Sequence, residues 1–253
     1  MKRWVLIRLA LDILGNLMGD SVDDLAARLV EEMNRGKRSF EGFSDDALSL
    51  QSFLHDEGWE KDSWDEVSRE IYAEDIKPQL VGLLSDCSKA LSAATGDSFT
   101  YGLGNPYPHG NVAKWFWGAV IPEGRTIHND IQLFVALRWG YVRVGLYLNN
   151  QNQERFARAM SGLSGREAEV SAALAIAEEN GVSLCKKIPD ISRGKVEPYE
   201  KSEDTWSKEF AKRREIDLLK GWKVDDDDLR VSEFAGDVLT VFATITPLYN
   251  LLD

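Results

Sequence analysis

The stretch IQLFVALRWGYVRVGLYL, residues 131–148, constrains the fold more than any other part of this chain. Its apolar residues alternate with period two, which is the side-chain period of a β-strand and not of a helix. Trp139-Gly140 lies at its centre, and glycine accepts the positive backbone angle that a two-residue hairpin turn requires. Pairing across that turn sets Leu137 against Val142, Val135 against Val144, Leu133 against Leu146 and Ile131 against Leu148. One face is then wholly aliphatic. The other pairs Arg138 with Tyr141, Ala136 with Arg143, Phe134 with Gly145 and Gln132 with Tyr147. A slip of one residue would mix the two sets, so the pattern selects this register and assigns the aliphatic face to the core.

Two more segments with twofold alternation, 98–103 and 114–121, precede the hairpin strands at 131–138 and 141–148. Between them GNPYPHGN, residues 104–111, is a loop by its turn chemistry. Residues 1–96 read instead as helices. Ser21 with Asp23 and Asp24 opens one that ends at Gly36; Ser44-Asp-Asp opens a second that stops at Gly58; Ser63-Trp-Asp-Glu66 has the form of a capping box, with Val67 and Ile71 on one face. Pro78 opens or kinks the next stretch, which Gly96 closes. After the hairpin, a helix carries Phe156 and Met160, and Ser164-Gly-Arg-Glu167 opens another that runs to Gly181. Val182 to Ile188 reads as a strand, 189–204 as a charged loop with a short strand around Val196, 205–220 as a helix, and roughly 231–251 as a last helix that Pro247 should kink or end. These elements define an α+β protein: a mainly antiparallel sheet packed with helices, preceded by an N-terminal helical part. Residues 1–96 are the helical part and 97–253 the sheet part of one continuous globular unit.

Composition narrows the classes of partner. At 43% hydrophobic residues, with eight Trp and ten Phe, the chain can bury an aromatic-rich core. Its formal charge of -12 repels nucleic-acid backbones and anionic membranes on average. Residues 98–163 depart from that average, with six basic and three acidic side chains, a net of +3. Cys87 and Cys185 are far apart and in no metal-ligand spacing, which fits thiols in a reducing, cytoplasmic compartment. Lys2 and Arg3 followed by WVLIRLALDIL imitate a signal peptide, but Arg8 and Asp12 interrupt the apolar run. Leu6, Leu9, Ile13, Leu14 and Leu17 fall at helical spacing, so an amphipathic helix packed on the domain is expected. No apolar run is long enough to make a membrane a partner.

Catalytic motifs are missing from the sequence. There is no phosphate-binding loop with its lysine, no G-x-S-x-G and no HExxH, so no catalytic residue, metal or cofactor is assigned. His55 is expected to face solvent from a helix, and the acidic run Asp225 to Asp228 to be a solvated loop before the last helix. His109, in the turn-rich loop, and His128 with Asp130 form an acid–base pocket if the loops converge. The aromatic residues are the more unusual feature. Trp115 and Trp117 share one face of a strand near Trp139, Tyr141, Arg138 and Arg143, with Lys114 and His109 in the adjoining loop. Such rings are either a core layer between sheet and helices or a platform on which a planar ligand stacks beside guanidinium groups.

Two resemblances bear on this. EIDLLKGWKV followed by DDDDLRVSEFAGDVLTVFATITPLYNLLD resembles the end of a bacterial family, domain of unknown function 2461, whose members close with a DLL-(K/R) stretch, an acidic loop and a helix ending in a P-L pattern. Asp217, Leu218, Leu219, Lys220, Pro247, Leu248, Leu251, Leu252 and Asp253 fit it; Phe43-Ser44 before a leucine-rich helix and VRVGLYL are also similar, so the likeness spans 43–253. At that family's most specific motif this chain reads YGLGNPYPHGNVAKWFW, and no family site is carried over; the resemblance implies an α+β fold. Gly110, Asn111, Ala113, Lys114 and Trp117 are similar to the G-N-x-A-K-x-x-W pattern of the N-terminal recognition domains of McrB-type restriction systems. That shorter likeness implies a DNA-reading module for modified bases in a bacterial defence system.

Three functions are therefore open on the sequence: a non-catalytic recognition module, with nucleic acid as ligand of the aromatic and arginine surface; an enzyme on a small polar substrate using His109, His128 and Asp130; and an acidic protein-interaction or DNA-mimic inhibitor protein whose partner is another protein.

Overall fold

The computed structural model describes residues 21–148, 152–185, 205–213 and 215–252. The expected amphipathic helix at the N-terminus and the loop and short strand between 189 and 204 lie outside the described residues. The N-terminal part is helical: α1 (Val22–Arg35), α2 (Asp45–Asp56), α3 (Glu66–Ile71) and α4 (Lys77–Thr95). Ser21 caps α1 reciprocally with Asp24, its hydroxyl accepting from the Asp24 amide at 3.1 Å while the Asp24 carboxylate accepts the Ser21 amide at 3.3 Å. Ser44 caps α2 in one direction only, its hydroxyl accepting from the Ala47 amide. The third cap departs from expectation. Asp65, not Ser63, accepts from the Ser68 amide at 2.8 Å, while Lys61–Ser63 forms a separate 3₁₀ turn. The helix that starts there buries Ser68, whose hydroxyl donates to the Ser63 carbonyl, and leaves Val67 63% exposed. Pro78 would drive its ring into the carbonyl four residues earlier. A π-turn over Tyr72–Ile76 absorbs this strain, so the proline opens α4 instead of ending the helical run.

The sheet comprises β1 (Phe99–Leu103), β2 (Trp115–Pro122), β3 (Gln132–Arg138), β4 (Tyr141–Leu148), β5 (Ser183–Leu184) and β6 (Ile216–Lys223). Its order is β1-β2-β3-β4-β6-β5, antiparallel throughout. The hairpin register is the one its alternation dictates, from Arg138 with Tyr141 to Gln132 with Tyr147; the anticipated outermost pair, Ile131 with Leu148, lies just beyond the end of β3. Gly140 takes φ 74° in the turn. Leu133, Val135, Leu137, Val142, Val144 and Leu146 are all buried in the main core.

Between 205 and 223 the single helix expected from the sequence is replaced by α7 (Trp206–Arg213) and the strand β6. IDLLKGWK has too few residues to show a clear period, and its partner decides its conformation. Without β6, β4 would be an open edge with unpaired backbone groups; with it, β4 gains a continuous ladder from Tyr141–Lys223 to Leu148–Ile216. Gly145 permits that approach, because a Cβ there would sit 2.0 Å from the Leu218 carbonyl oxygen. β5 is described over Ser183–Leu184, and Cys185 donates its amide to the Asp217 carbonyl; the rest of the strand expected up to Ile188 lies outside the described residues.

Helices α5 (Gln153–Leu163), α6 (Glu167–Glu179) and α8 (Phe234–Leu252) complete the layer over the aliphatic face. The expected box at Ser164 is not the cap of α6; Arg166 occupies that position and pairs with Glu169. Pro247 does not end α8, which continues to Leu252. The apolar content of α8 suits a membrane span by length and composition, yet α8 packs on α1, α5, α6 and β4 with most of its residues buried. A single apolar cluster runs from Leu25, Leu29 and Met33 through α4 and the inner sheet face to Leu252, so the N-terminal helices and the sheet share one core.

Candidate binding face of the sheet

The face of the sheet opposite that core has a different chemistry. By register, Trp115, Arg138, Tyr141 and Lys223 form one row across β2, β3, β4 and β6, and Trp117, Ala136, Arg143 and Gly221 form the next. Further along, Ala119, Phe134 and Leu219 join Ile121, Ile127, Ala136 and Cys185 in a small second apolar cluster, against which Trp117 and Tyr147 pack. The sequence-derived candidates Trp115, Trp117, Arg138, Tyr141 and Arg143 therefore do share one face.

Within it Trp115 is 42% exposed, whereas Arg138 and Arg143 are each only 7% exposed. The Arg138 guanidinium lies 5.3 Å from the centroid of the Trp115 ring, a cation–π contact. Arg143 reaches along its strand, past Gly145, to Asp217, with Nη2 3.6 Å from Oδ2. That is an ion pair too long to be a hydrogen bond. Among the described residues, Nε of Arg138, and Nε and Nη2 of Arg143, have no hydrogen-bond acceptor. Burial pushes the Arg138 guanidinium down to about 9, with the neighbouring Arg143 charge adding to the effect and Asp217 opposing it. Arg138 is therefore still a cation at neutral pH, and the face holds two buried guanidiniums around one carboxylate.

Trp139 and Lys114 are placed elsewhere. Trp139 stacks flat on His55 at 3.8 Å and 3°, His55 meets Trp59 edge-on at 4.8 Å, and Lys114 Nζ sits 5.3 Å over Trp59. These residues form a separate cluster where the hairpin turn meets the end of α2. His55, expected to face solvent, has a side chain only 14% exposed because Trp139 covers it. Trp115 on β2 and Trp139 in the hairpin turn are thus divided: Trp115 lies on the sheet face and Trp139 against α2.

The acid–base residues are also held apart in function. His109 is exposed in its loop at φ 55°. His128 lies edge-on to Trp117 at 6.1 Å. Asp130 accepts from Arg125 at 2.8 Å, Arg155 at 2.9 Å and the Ile131 amide at 2.7 Å. Burial alone would raise its pKa, but the bonds from Ile131, Arg155 and Arg125 outweigh it and hold the carboxyl below its usual range. Arg155 also donates to the Leu252 carbonyl at 2.9 Å, tying the hairpin to the end of α8. Asp130 is a locked anion in a structural network. Among the described residues no group of three or more His, Cys, Asp or Glu is arranged to hold a metal ion. Cys87 and Cys185 are buried thiols, not a disulfide, and burial pushes the Cys87 thiol up.

Sequence reasoning missed Asp217 as the carboxylate beside Arg143. It follows from β6: once 216–223 is a strand, parity puts Asp217, Gly221 and Lys223 on this face. The signal was present in the alternation of Ile216, Leu218 and Trp222, but a helix reading of 205–220 hides it. The G-N-x-A-K-x-x-W residues occupy the loop into β2 and the strand itself, with Lys114 directly before Trp115. Compared with known proteins, the chain matches no family model and no curated protein.

Proposed function

We propose that the protein is a non-catalytic recognition module that binds nucleic acid on the outer face of its sheet, at the Trp115–Arg138 end, one or a few nucleotides at a time. The exposed Trp115 ring backed by the Arg138 guanidinium carries this reading. A half-exposed indole on a rigid central strand is a ready stacking surface, and stacking tolerates any base. The charge of -12 argues that the contact is local, because a long duplex track would be repelled. The similarity of the loop into β2 to recognition domains of restriction systems supports a role in reading modified DNA in a bacterial defence system.

The test is a titration of single-stranded and duplex oligonucleotides, with and without modified cytosines, against wild type and Trp115→Ala. Single strands should bind more tightly than duplex. Trp115→Ala should weaken binding by roughly 1–3 kcal/mol for each base that stacks there. Because few phosphates are engaged, log affinity should fall only gently with log salt, by about 0.7 per phosphate on a single strand. Wild type that binds none of these ligands at tens of micromolar in low salt, the order of ordinary non-specific affinities, would refute the reading and favour a protein partner instead.

A further inference from the structure

We infer that Arg138 and Arg143, with Asp217 between them and the strand beyond, form a subsite for a single phosphate group, that of a terminal or splayed-out nucleotide whose base stacks on Trp115. This rests on the nucleic-acid reading above and names which part of the ligand the site takes. Two features point to it.

The first is charge. Among the described residues, two guanidiniums and one carboxylate leave one positive charge uncompensated in a setting where each arginine is 7% exposed. A buried charge without a partner is costly, and the missing partner is an anion. The second is donor accounting. Buried N–H groups almost always find an acceptor, yet three guanidinium nitrogens here have none. They belong to adjacent side chains on neighbouring strands, so one multivalent acceptor can serve both. A tetrahedral phosphate offers several oxygens to such a pair and forms the short, charge-assisted bonds that guanidinium groups favour.

The same burial selects the kind of phosphate. Backbone phosphates of an intact duplex are held on a wide, rigid cylinder and do not reach guanidiniums that are only 7% exposed. A phosphate on a chain end or an unstacked nucleotide can.

The experiment uses the full chain and four probes: inorganic phosphate, deoxycytidine, deoxycytidine 5′-monophosphate and a single-stranded oligonucleotide with or without a 5′-phosphate. Calorimetry gives affinities, and the ¹H–¹⁵N resonances of the arginine Nε–H groups, assigned with Arg138→Lys and Arg143→Lys, report on the donors themselves. The monophosphate should bind about tenfold or more tightly than the nucleoside, as expected for added charge-assisted bonds. Phosphate and monophosphate should both shift the Arg138 and Arg143 Nε–H resonances, and the nucleoside should not. Inorganic phosphate that shifts the resonances as strongly as the monophosphate, while oligonucleotides fail to bind, identifies a free-anion site; the subsite then stands and the nucleic-acid reading falls. Oligonucleotides that bind regardless of a 5′-phosphate, with the two Nε–H resonances unmoved, overturn the subsite and leave the nucleic-acid reading intact. Arg143→Gln that still melts cooperatively should lose the preference for the monophosphate over the nucleoside. Should that variant not fold, the wild-type resonance shifts decide the matter alone.

Discussion

Two places on the same sheet each set a buried aspartate beside two arginines, and they are built to opposite standards. At the foot of β3, Asp130 accepts from Arg125, Arg155 and the Ile131 amide at 2.7–2.9 Å, and Arg155 passes a further bond to the Leu252 carbonyl. On the outer face, Arg143 meets Asp217 at 3.6 Å, Arg138 leans on Trp115, and three guanidinium nitrogens have no acceptor. The residue types are the same. The difference is whether the donors find acceptors inside the chain. A saturated cluster fastens two elements together, here the hairpin and the end of α8. An unsaturated one costs stability where it stands, and such a cost is offset only by something the chain itself does not supply.

Removing the saturated carboxylate should have the largest effect. Asp130→Ala takes the buried carboxylate partner away from Arg155 and should lower unfolding free energy by about 3–5 kcal/mol, measured by urea denaturation. Because the folded pKa of Asp130 lies below its unfolded value, its contribution is complete above about pH 4 and disappears as pH falls through the lower, folded value. The wild type should therefore lose stability in acid more steeply than Asp130→Asn. A variant as stable as wild type at neutral pH would mean that the network does not hold the fold.

The inner face supplies the reference for ordinary packing. Val144→Ala should cost roughly 1–3 kcal/mol through lost burial and an unfilled void. A change near zero in a folded variant would contradict the observed register.

For the unsaturated cluster the sign should reverse. Arg138→Met keeps the length of the side chain, removes the charge and leaves the Arg143–Asp217 pair in place. Stability should be unchanged or rise by about 1 kcal/mol. A loss as large as that of Asp130→Ala would show that the outer cluster is a structural one after all, and would erase the contrast. The smallest effect belongs to Trp115→Ala, which should move stability by no more than about 0.5 kcal/mol, as is usual for an exposed position, while weakening oligonucleotide binding.

Much of the frame was legible in the residues because it is local. The hairpin register follows from alternation alone, since only one pairing keeps Leu133, Val135, Leu137, Val142, Val144 and Leu146 on a single face. The caps at Ser21 and Ser44 follow from hydroxyls placed before acidic first turns. Errors arose where a segment is short or its partner distant. Ile216–Lys223 became a strand because β4 needed an edge partner, and Pro247 stayed within α8 because burial on nearly every side holds that helix together. The candidate site divided in the same way: Trp115, Trp117, Arg138, Tyr141 and Arg143 were placed together by parity, while Trp139 and Lys114 went to His55 and Trp59, residues far away in sequence.

By itself the sequence determined the α+β class, the hairpin and the identity of its core face, because hydrophobic periodicity and turn chemistry act over a few residues and admit one solution. It also determined that Arg138, Tyr141 and Arg143 share the hairpin's other face and that Trp115 and Trp117 share one face of their strand. Only the tertiary structure decided that Arg138 and Arg143 are buried, that Asp217 is the carboxylate beside them, and that Asp130 is fully engaged elsewhere. Burial and donor satisfaction depend on which elements come to lie against one another, and those contacts join positions that no local pattern connects.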